Sequence, residues 1–249
     1  MRCAQRSGSG RQAWGGLIVR RAWAGVRYVW AILIGTQKWA PPAIVLTIGV
    51  VWVWAIPPVN LDTVKVVLLV LFALAAWLGF AVATAEDVTQ RQISISQWGS
   101  ARPMLVVQWG MATGLAALFP VAMLVGYYTV GRLTGVRFFT GIAALAAGSA
   151  LLVSAAAAAA VGVMAARYLR GRPGWAGVGI LLVSLTQAIG WVPPVGWISA
   201  ALVGTRSVDL AGLGWGLLVG AAITAVALRI GVGDGLGSPS RAEVGERSQ

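Results

Sequence analysis

The stretch from Phe138 to Ala166 reads FFTGIAALAAGSALLVSAAAAAAVGVMAA and contains no charged side chain. A transmembrane helix needs about 20 mostly apolar residues, so this stretch is long enough to cross a bilayer. Alanine, glycine and serine also let neighbouring helices approach closely, which matters because burial of apolar surface gives little driving force in lipid. The stretch therefore predicts a membrane span that packs tightly against another helix.

Five further stretches are also free of charge, namely Ala40 to Pro57, Val66 to Ala85, Met104 to Val130, Trp175 to Val192 and Leu210 to Leu228. Hydrophobic residues make up 58% of the 249 residues, charged residues make up 10%, and the mean hydropathy is +0.81. These values lie outside the range of soluble globular domains. We predict an all-α membrane protein with six transmembrane helices.

The last of these stretches carries small residues at every fourth position, at Gly212, Gly216, Gly220 and Thr224. Residues four apart lie on one face of a helix, and a face of small residues allows close helix packing. The packing partner is either another helix of this chain or a second protomer.

The distribution of basic residues indicates the orientation in the membrane. Of the 19 lysines and arginines, only four lie on one side of the six spans, at Lys65, Arg132, Arg137 and Arg206. The positive-inside rule places the more basic side, with both termini, in the cytoplasm. We expect no nucleic-acid partner, because that would need a basic face on a soluble domain. Abundant alanine, glycine and valine, with arginine far exceeding lysine, indicates a high-GC genome, so we predict a multi-pass protein of a bacterial plasma membrane.

The segment before the first span mixes tryptophan and arginine between Gln12 and Ile34. This pattern predicts an amphipathic helix in the cytoplasmic interface, in contact with membrane lipids. The alternative is an extra crossing that begins near Ala22, which would place Arg27 inside the bilayer. The chain then divides into a cytoplasmic tail and interfacial helix at 1–38, a six-span transmembrane domain at 39–233 and a disordered cytoplasmic tail at 234–249.

The segment from Trp191 to Gly204 is apolar, contains Pro193 and Pro194, and is too short for two crossings. Irregular backbone at membrane depth is tolerated only where protein or a water-filled cavity satisfies its polar groups. We predict a short re-entrant helical hairpin before the last span. A plain apolar external loop is the alternative.

Several kinds of chemistry have no residues to support them. Cys3 is the single cysteine and histidine is absent, so we predict no metal site and no serine hydrolase triad. Neither Lys38 nor Lys65 follows a glycine, so a P-loop for ATP is excluded. Ionisable residues inside spans usually mark ion or proton sites, and these spans have none. We predict a non-catalytic chain without cofactors whose energy source lies outside it.

The longest polar break between spans runs from Glu86 to Pro103 and is cytoplasmic by the distribution of charge. Arg91 follows the two acidic residues at helical spacing, which supports a short helix. The segment also carries apolar side chains that form exposed surface unless something covers them, at Ile93, Ile95 and Trp98.

This layout resembles the membrane subunits of ABC-2-type transporters. The similarity lies in the interfacial helix, the six spans, the acidic residues before a short cytoplasmic coupling helix and the re-entrant helices before the last span. The resemblance implies that the segment from Glu86 to Gln97 docks on a separate ATPase subunit, which binds ATP and Mg²⁺. The residues implied for this coupling are Glu86, Asp87, Thr89, Gln90, Arg91, Gln92 and Gln97. It also implies a second permease subunit, either a copy of this chain or a paralogue.

The function expected from this resemblance is that of a permease subunit of an ABC exporter. The apolar spans favour a hydrophobic or amphipathic substrate, and the candidate residues along its path are Gln108, Trp109, Thr113 and Gln187. Polar groups on a span also commonly bond to a neighbouring helix. Two alternatives are an autonomous secondary transporter, which generally needs an ionisable group at the midplane, and a non-transporting membrane assembly or immunity partner.

Overall fold

The computed structural model describes residues 9–55, 61–98, 100–134, 141–169, 172–187 and 210–233. In these ranges the chain forms eight helices and no strand. The helices are α1 (Ser9–Thr36), α2 (Ala40–Ala55), α3 (Leu61–Ala83), α4 (Val88–Trp98), α5 (Ala101–Thr134), α6 (Gly141–Tyr168), α7 (Pro173–Thr186) and α8 (Leu210–Gly233). The prediction of an all-α protein is confirmed for this part of the chain.

Three of the helices are long and apolar enough to cross a membrane. Their spanning parts are Val66–Ala83 in α3, Ala101–Ala122 in α5 and Ala147–Tyr168 in α6. A fourth span results if Trp23–Thr36 and Ala40–Gly49, bent by 87° to each other, count as one. The apolar helices Pro173–Thr186 and Gly214–Arg229 are shorter, so the count of six spans stays a prediction. The predicted hairpin at 191–204 and the tail at 234–249 lie outside the described residues.

The break between α1 and α2 has a specific local cause. Gln37 adopts a left-handed backbone conformation with a φ of 53°, and its N–H donates to Ile34 O at 3.2 Å. A left-handed residue just after the last turn is a common way to end a helix. The N–H of Ala40 then donates to Gln37 O at 3.0 Å and starts α2. The break falls at the boundary expected between the interfacial helix and the first span.

The core lies between α3, α5 and α6, with α8 packed mainly on α6, α7 on α3 and α6, and α2 on α3 and α5. Its largest cluster joins buried side chains of four helices, including Leu68, Leu71, Phe72, Ala116, Phe119, Ala150, Leu151, Ala155, Ala158 and Ile180. A second cluster joins Ala83 to Val163 and Ala166, nearer the ends of α3 and α6. Early residues of α3 thus pack on early residues of α6, so the two helices run in the same direction.

The contact between α3 and α6 depends on two glycines. A Cβ atom at Gly162 would overlap the carbonyl oxygen of Ala76 and lie 2.8 Å from the backbone nitrogen of Phe80. A Cβ atom at Gly79 would likewise overlap the carbonyl oxygen of Ala159. These neighbours are backbone atoms, which cannot rotate away as a side chain can. The backbones of α3 and α6 can therefore approach this closely only because both positions lack a side chain.

We expect Gly162→Ala to lower the free energy of unfolding by about 1–3 kcal/mol, because α6 must move away from α3. Gly114→Ala is the matched control, since a Cβ atom at Gly114 meets nothing within 4 Å. Its stability should be unchanged or higher, because alanine favours the helix over glycine. The measurement is thermal unfolding in a mild detergent, and equal midpoints for the two variants would contradict the packing described.

Candidate functional site

The short helix α4 connects two candidate spans at their ends. The last turn of α3 closes when the N–H of Thr84 donates to Phe80 O at 2.9 Å and its hydroxyl donates to the same oxygen at 2.8 Å. Three residues later Asp87 precedes the first turn of α4, where its carbonyl accepts from the N–H of Arg91 at 3.0 Å. With so short a connection, the end of α3 determines where α4 begins.

The two faces of α4 differ in exposure. Arg91, Ile95 and Trp98 are half-buried and Ser94 is buried, and these four residues share one side of the helix. The opposite side is exposed and consists of Thr89, Gln90, Gln92, Ile93, Ser96 and Gln97. Ile93 is 54% exposed and is the apolar member of this surface, whose other residues are polar and uncharged. We call this surface the α4 face. It is a hydrogen-bonding surface with an apolar centre.

A polar trio on the inner side joins α4 to α1. The hydroxyl of Ser94 lies 3.1 Å from Oε1 of Glu86 and 3.2 Å from Oη of Tyr28. The serine hydroxyl is the donor towards both neighbours, the carboxylate of Glu86 and the phenol oxygen of Tyr28. Glu86 is only 3% exposed, and a buried carboxylate is costly unless donors surround it. The Ser94 hydroxyl supplies one such donor, to Oε1, and the trio ties α4 to α1.

The protonation of Tyr28 fits this arrangement. Partial burial is the main effect and raises the pKa of the phenol above its ordinary value of 10.0, the hydrogen bond from Ser94 lowers this pKa, and the adjacent Glu86 raises it. The phenol therefore keeps its proton at pH 7.

A second contact between α1 and α4 is apolar. A Cβ atom at Gly25 would lie 2.7 Å from Cζ2 and 2.8 Å from Cη2 of Trp98, so the indole ring rests on the glycine backbone. A groove of about 450 Å³ runs beside this contact and is lined by Ala24, Gly25, Tyr28, Ile93, Ser94, Gln97 and Trp98. α1 thus covers Trp98, one of the three apolar side chains that the sequence predicted to be exposed unless something packs on them.

The residues predicted for coupling fall in different surroundings. Asp87, Thr89, Gln90, Gln92 and Gln97 are exposed. Glu86 instead points inward, and Arg91 is half-buried. The sequence did not assign Tyr28, Ser94, Gly25 or Trp98 to the site, although a glycine among large side chains in α1 was a usable signal of close contact.

The residues predicted for the substrate path lie on two helices. Gln108, Trp109 and Thr113 belong to α5, and Nε1 of Trp109 donates to Ala156 O of α6 at 2.9 Å. Gln187 is buried just after the last turn of α7. Trp109 therefore bonds a neighbouring helix, which is the structural alternative to a role in the path.

The buried polar atoms without a hydrogen-bond partner among the described residues include Nε2 of Gln108, Oγ1 of Thr113 and Oγ of Ser154. Leaving such a group unsatisfied costs about 1–3 kcal/mol. Two of the three belong to the predicted path, whose role stays a prediction.

The glycine stripe of the last span lies within α8. Gly216, Gly220 and Thr224 are buried, and the hydroxyl of Thr224 donates to Gly220 O at 2.9 Å. Gly212 lies in the first turns of the same helix. Since α8 packs mainly on α6, the structure places the buried part of the stripe within this chain rather than on its surface.

Comparison with known proteins gives no relative, since no family model, no curated protein and no solved structure matches this chain. In the part of the chain that the structure describes, no group of three or more His, Cys, Asp or Glu residues could hold a metal ion. The α4 face and its two contacts with α1 are therefore the candidate functional site.

We expect Gly25→Leu to displace the indole of Trp98 and loosen α4 from α1. Hydrogen exchange of the amides at 88–98 should become faster by roughly tenfold, the effect of about 1–3 kcal/mol of strain. Gly35→Leu is the control on the same helix, because a Cβ atom at Gly35 meets nothing within 4 Å. Equal exchange in the two variants would show that this contact does not hold α4.

Proposed function

We propose that this chain is a permease subunit of an ABC exporter and that α4 is the helix on which a separate ATPase subunit docks. The observation that carries the proposal is the α4 face, an exposed, uncharged, hydrogen-bonding surface on a short helix between two candidate spans. Exposed polar side chains around one apolar residue match the anatomy of protein interfaces, which have an apolar centre and a polar rim.

The anchoring of α4 supports a mechanical role. A helix that transmits movement must be attached to the elements that it moves, and α4 contacts the turn after α3, the helix α1 and the helix α5. The turn before it contains Glu86, its inner face contacts Tyr28 of α1, and its last residue Trp98 rests on Gly25. A displacement of α4 would therefore move the end of α3 and the helix α1 together.

The energy source is the next step of the argument. Charged side chains are absent from the six apolar stretches, so the chain offers no intramembrane ion or proton site of the kind that secondary transporters use. It also has no P-loop. An ATPase subunit in another chain, which binds ATP and Mg²⁺, would supply the energy that this chain has no residues to supply. A second permease subunit would complete the path.

The spans suggest the substrate class and the setting. Apolar walls with few polar groups favour a hydrophobic or amphipathic substrate over a small ion. The distribution of basic residues supports an orientation with both termini in the cytoplasm, and in that orientation α4 faces the side where ATP is found. The membrane we propose is a bacterial plasma membrane.

The test is purification from native membranes in a mild detergent, with mass spectrometry of bound proteins and an assay of ATP hydrolysis. We expect a P-loop ATPase to copurify with the unchanged protein. The double variant Gln92→Glu, Ile93→Asp places two carboxylates at the centre of the α4 face, and recovery of the ATPase should fall about tenfold or more.

Arg172→Asp is the control for this experiment. Arg172 is exposed at the start of α7, on the same predicted side of the membrane, and its side chain makes no capping hydrogen bond. This variant should keep the ATPase. Recovery of the unchanged protein alone, or equal losses in the two variants at equal thermal stability, would rule out docking at α4.

A further inference from the structure

A cavity of about 880 Å³ lies beside the C-terminal end of α3, where the starts of α2 and α7 approach it. This volume falls within the range of small-molecule sites in proteins. Its lining is apolar along one part and charged along another. The cavity is separate from the groove between α1 and α4.

The apolar part of the cavity lies at the depth of the membrane. Trp77 and Phe80 come from the last turns of the candidate span Val66–Ala83, and Ile180 comes from α7. Trp77 is 45% exposed, so its ring borders both the cavity and the surroundings of the helix. Tryptophan prefers the level of the lipid headgroups, where one part of its ring is apolar and another is polar. The cavity is thus placed to receive part of a lipid from the cytoplasmic leaflet.

The charged part contains one cation and two carboxylates. Nζ of Lys38 donates to the carbonyl oxygen of Thr84, and Glu86 and Asp87 line the cavity next to it. The starts of α2 and α7 also border this part, and the N-terminal end of a helix dipole is positive. A headgroup with only one sign of charge would be repelled by one of these sets. A headgroup with both signs is complementary to them.

We propose that this cavity binds a glycerophospholipid with a phosphoethanolamine headgroup. Its phosphate lies beside Lys38, its ammonium group beside Asp87, and one acyl chain runs along Trp77 and Phe80. Phosphatidylcholine has no N–H to donate to a carboxylate, and phosphatidylglycerol has no cation. The inference rests on the cavity and the candidate spans, and it holds whether or not an ATPase docks on α4.

Two glycines of α7 provide a matched pair of variants. Gly177 lines the cavity and Gly179 does not, and a Cβ atom at either position meets nothing within 4 Å. Gly177→Phe therefore fills the cavity without a clash against the backbone, whereas Gly179→Phe adds the same ring to the same helix elsewhere. Thermal unfolding of both variants checks that α7 remains packed.

The experiment is native mass spectrometry of the full chain released from vesicles of phosphatidylethanolamine, phosphatidylcholine and phosphatidylglycerol in equal amounts. We expect the protein to retain phosphatidylethanolamine about fivefold more than either other lipid, the effect of about one net hydrogen bond. Gly177→Phe should lose this preference and Gly179→Phe should keep it. Equal retention of the three lipids by the unchanged protein, or the same result for both variants, would overturn the proposal.

Asp87→Asn tests the headgroup without filling the cavity. Asparagine caps a helix as well as aspartate does, so the start of α4 should be preserved while the negative charge is lost. The preference for phosphatidylethanolamine over phosphatidylcholine should fall towards equality. An unchanged preference would contradict the assigned position of the ammonium group, even where Gly177→Phe fails to fold.

Discussion

The structure depends on the close approach of two backbones, those of α3 and α6, at Gly79 and Gly162. Lipid tails are as apolar as leucine, so helices in a bilayer gain little from hiding apolar side chains from their surroundings. What they gain is contact between atoms, and the number of contacts rises as the backbones come closer. Glycine at both positions permits the closest approach. Other described helices then pack around this pair, with α5 in contact with both helices and α2, α7 and α8 on the outside.

A different kind of interaction holds the cytoplasmic end. The turn after α3 carries a buried carboxylate at Glu86, and burial of an unsatisfied charge would cost more than packing there could return. Ser94 of α4 reduces this cost by donating its hydroxyl to Oε1 of Glu86, and it also contacts the hydroxyl of Tyr28 in α1. Hydrogen bonds have preferred directions, whereas apolar contacts do not. The trio therefore fixes the orientation of α4, with its polar residues outward, in a way that the contact of Trp98 alone would not.

The spacing of residues along the chain predicted where the helices form better than it predicted which helices pack on each other. The small residues of the stretch from Phe138 to Ala166 correctly indicated close packing, and the acidic pair before Arg91 correctly indicated a short helix. Sequence spacing identifies a face of a helix but not which helix it meets, so Gly79 as the partner of Gly162 was not predictable. The inward turn of Glu86 was not predictable either, because the trio that it joins includes Tyr28 of α1, which lies far away in sequence.

The count of spans shows the same limit. At about 1.5 Å per residue, the 16 residues of α2 reach about 24 Å and the 14 residues of α7 about 21 Å, both short of a hydrocarbon core of about 30 Å. Apolar composition identified these segments as helical, but it did not give the positions of the turns at Gln37, before α2, and at Gln187, after α7.

The turn formed by Glu86 and Asp87 belongs to two sites at once. It borders the cavity beside α3, and it is the start of α4. Since the turn is short and Glu86 is held by Ser94, a shift of α4 must change the charged part of the cavity. An occupant of that cavity must in the same way restrict α4. Thermodynamic linkage makes such an effect reciprocal. If a molecule in the cavity favours one position of the turn, it raises the affinity of a partner that binds α4 in that same position, and the partner raises the affinity of the molecule in the cavity equally. The two surfaces are thus joined through the end of α3, whose own position is determined by its contact with α6.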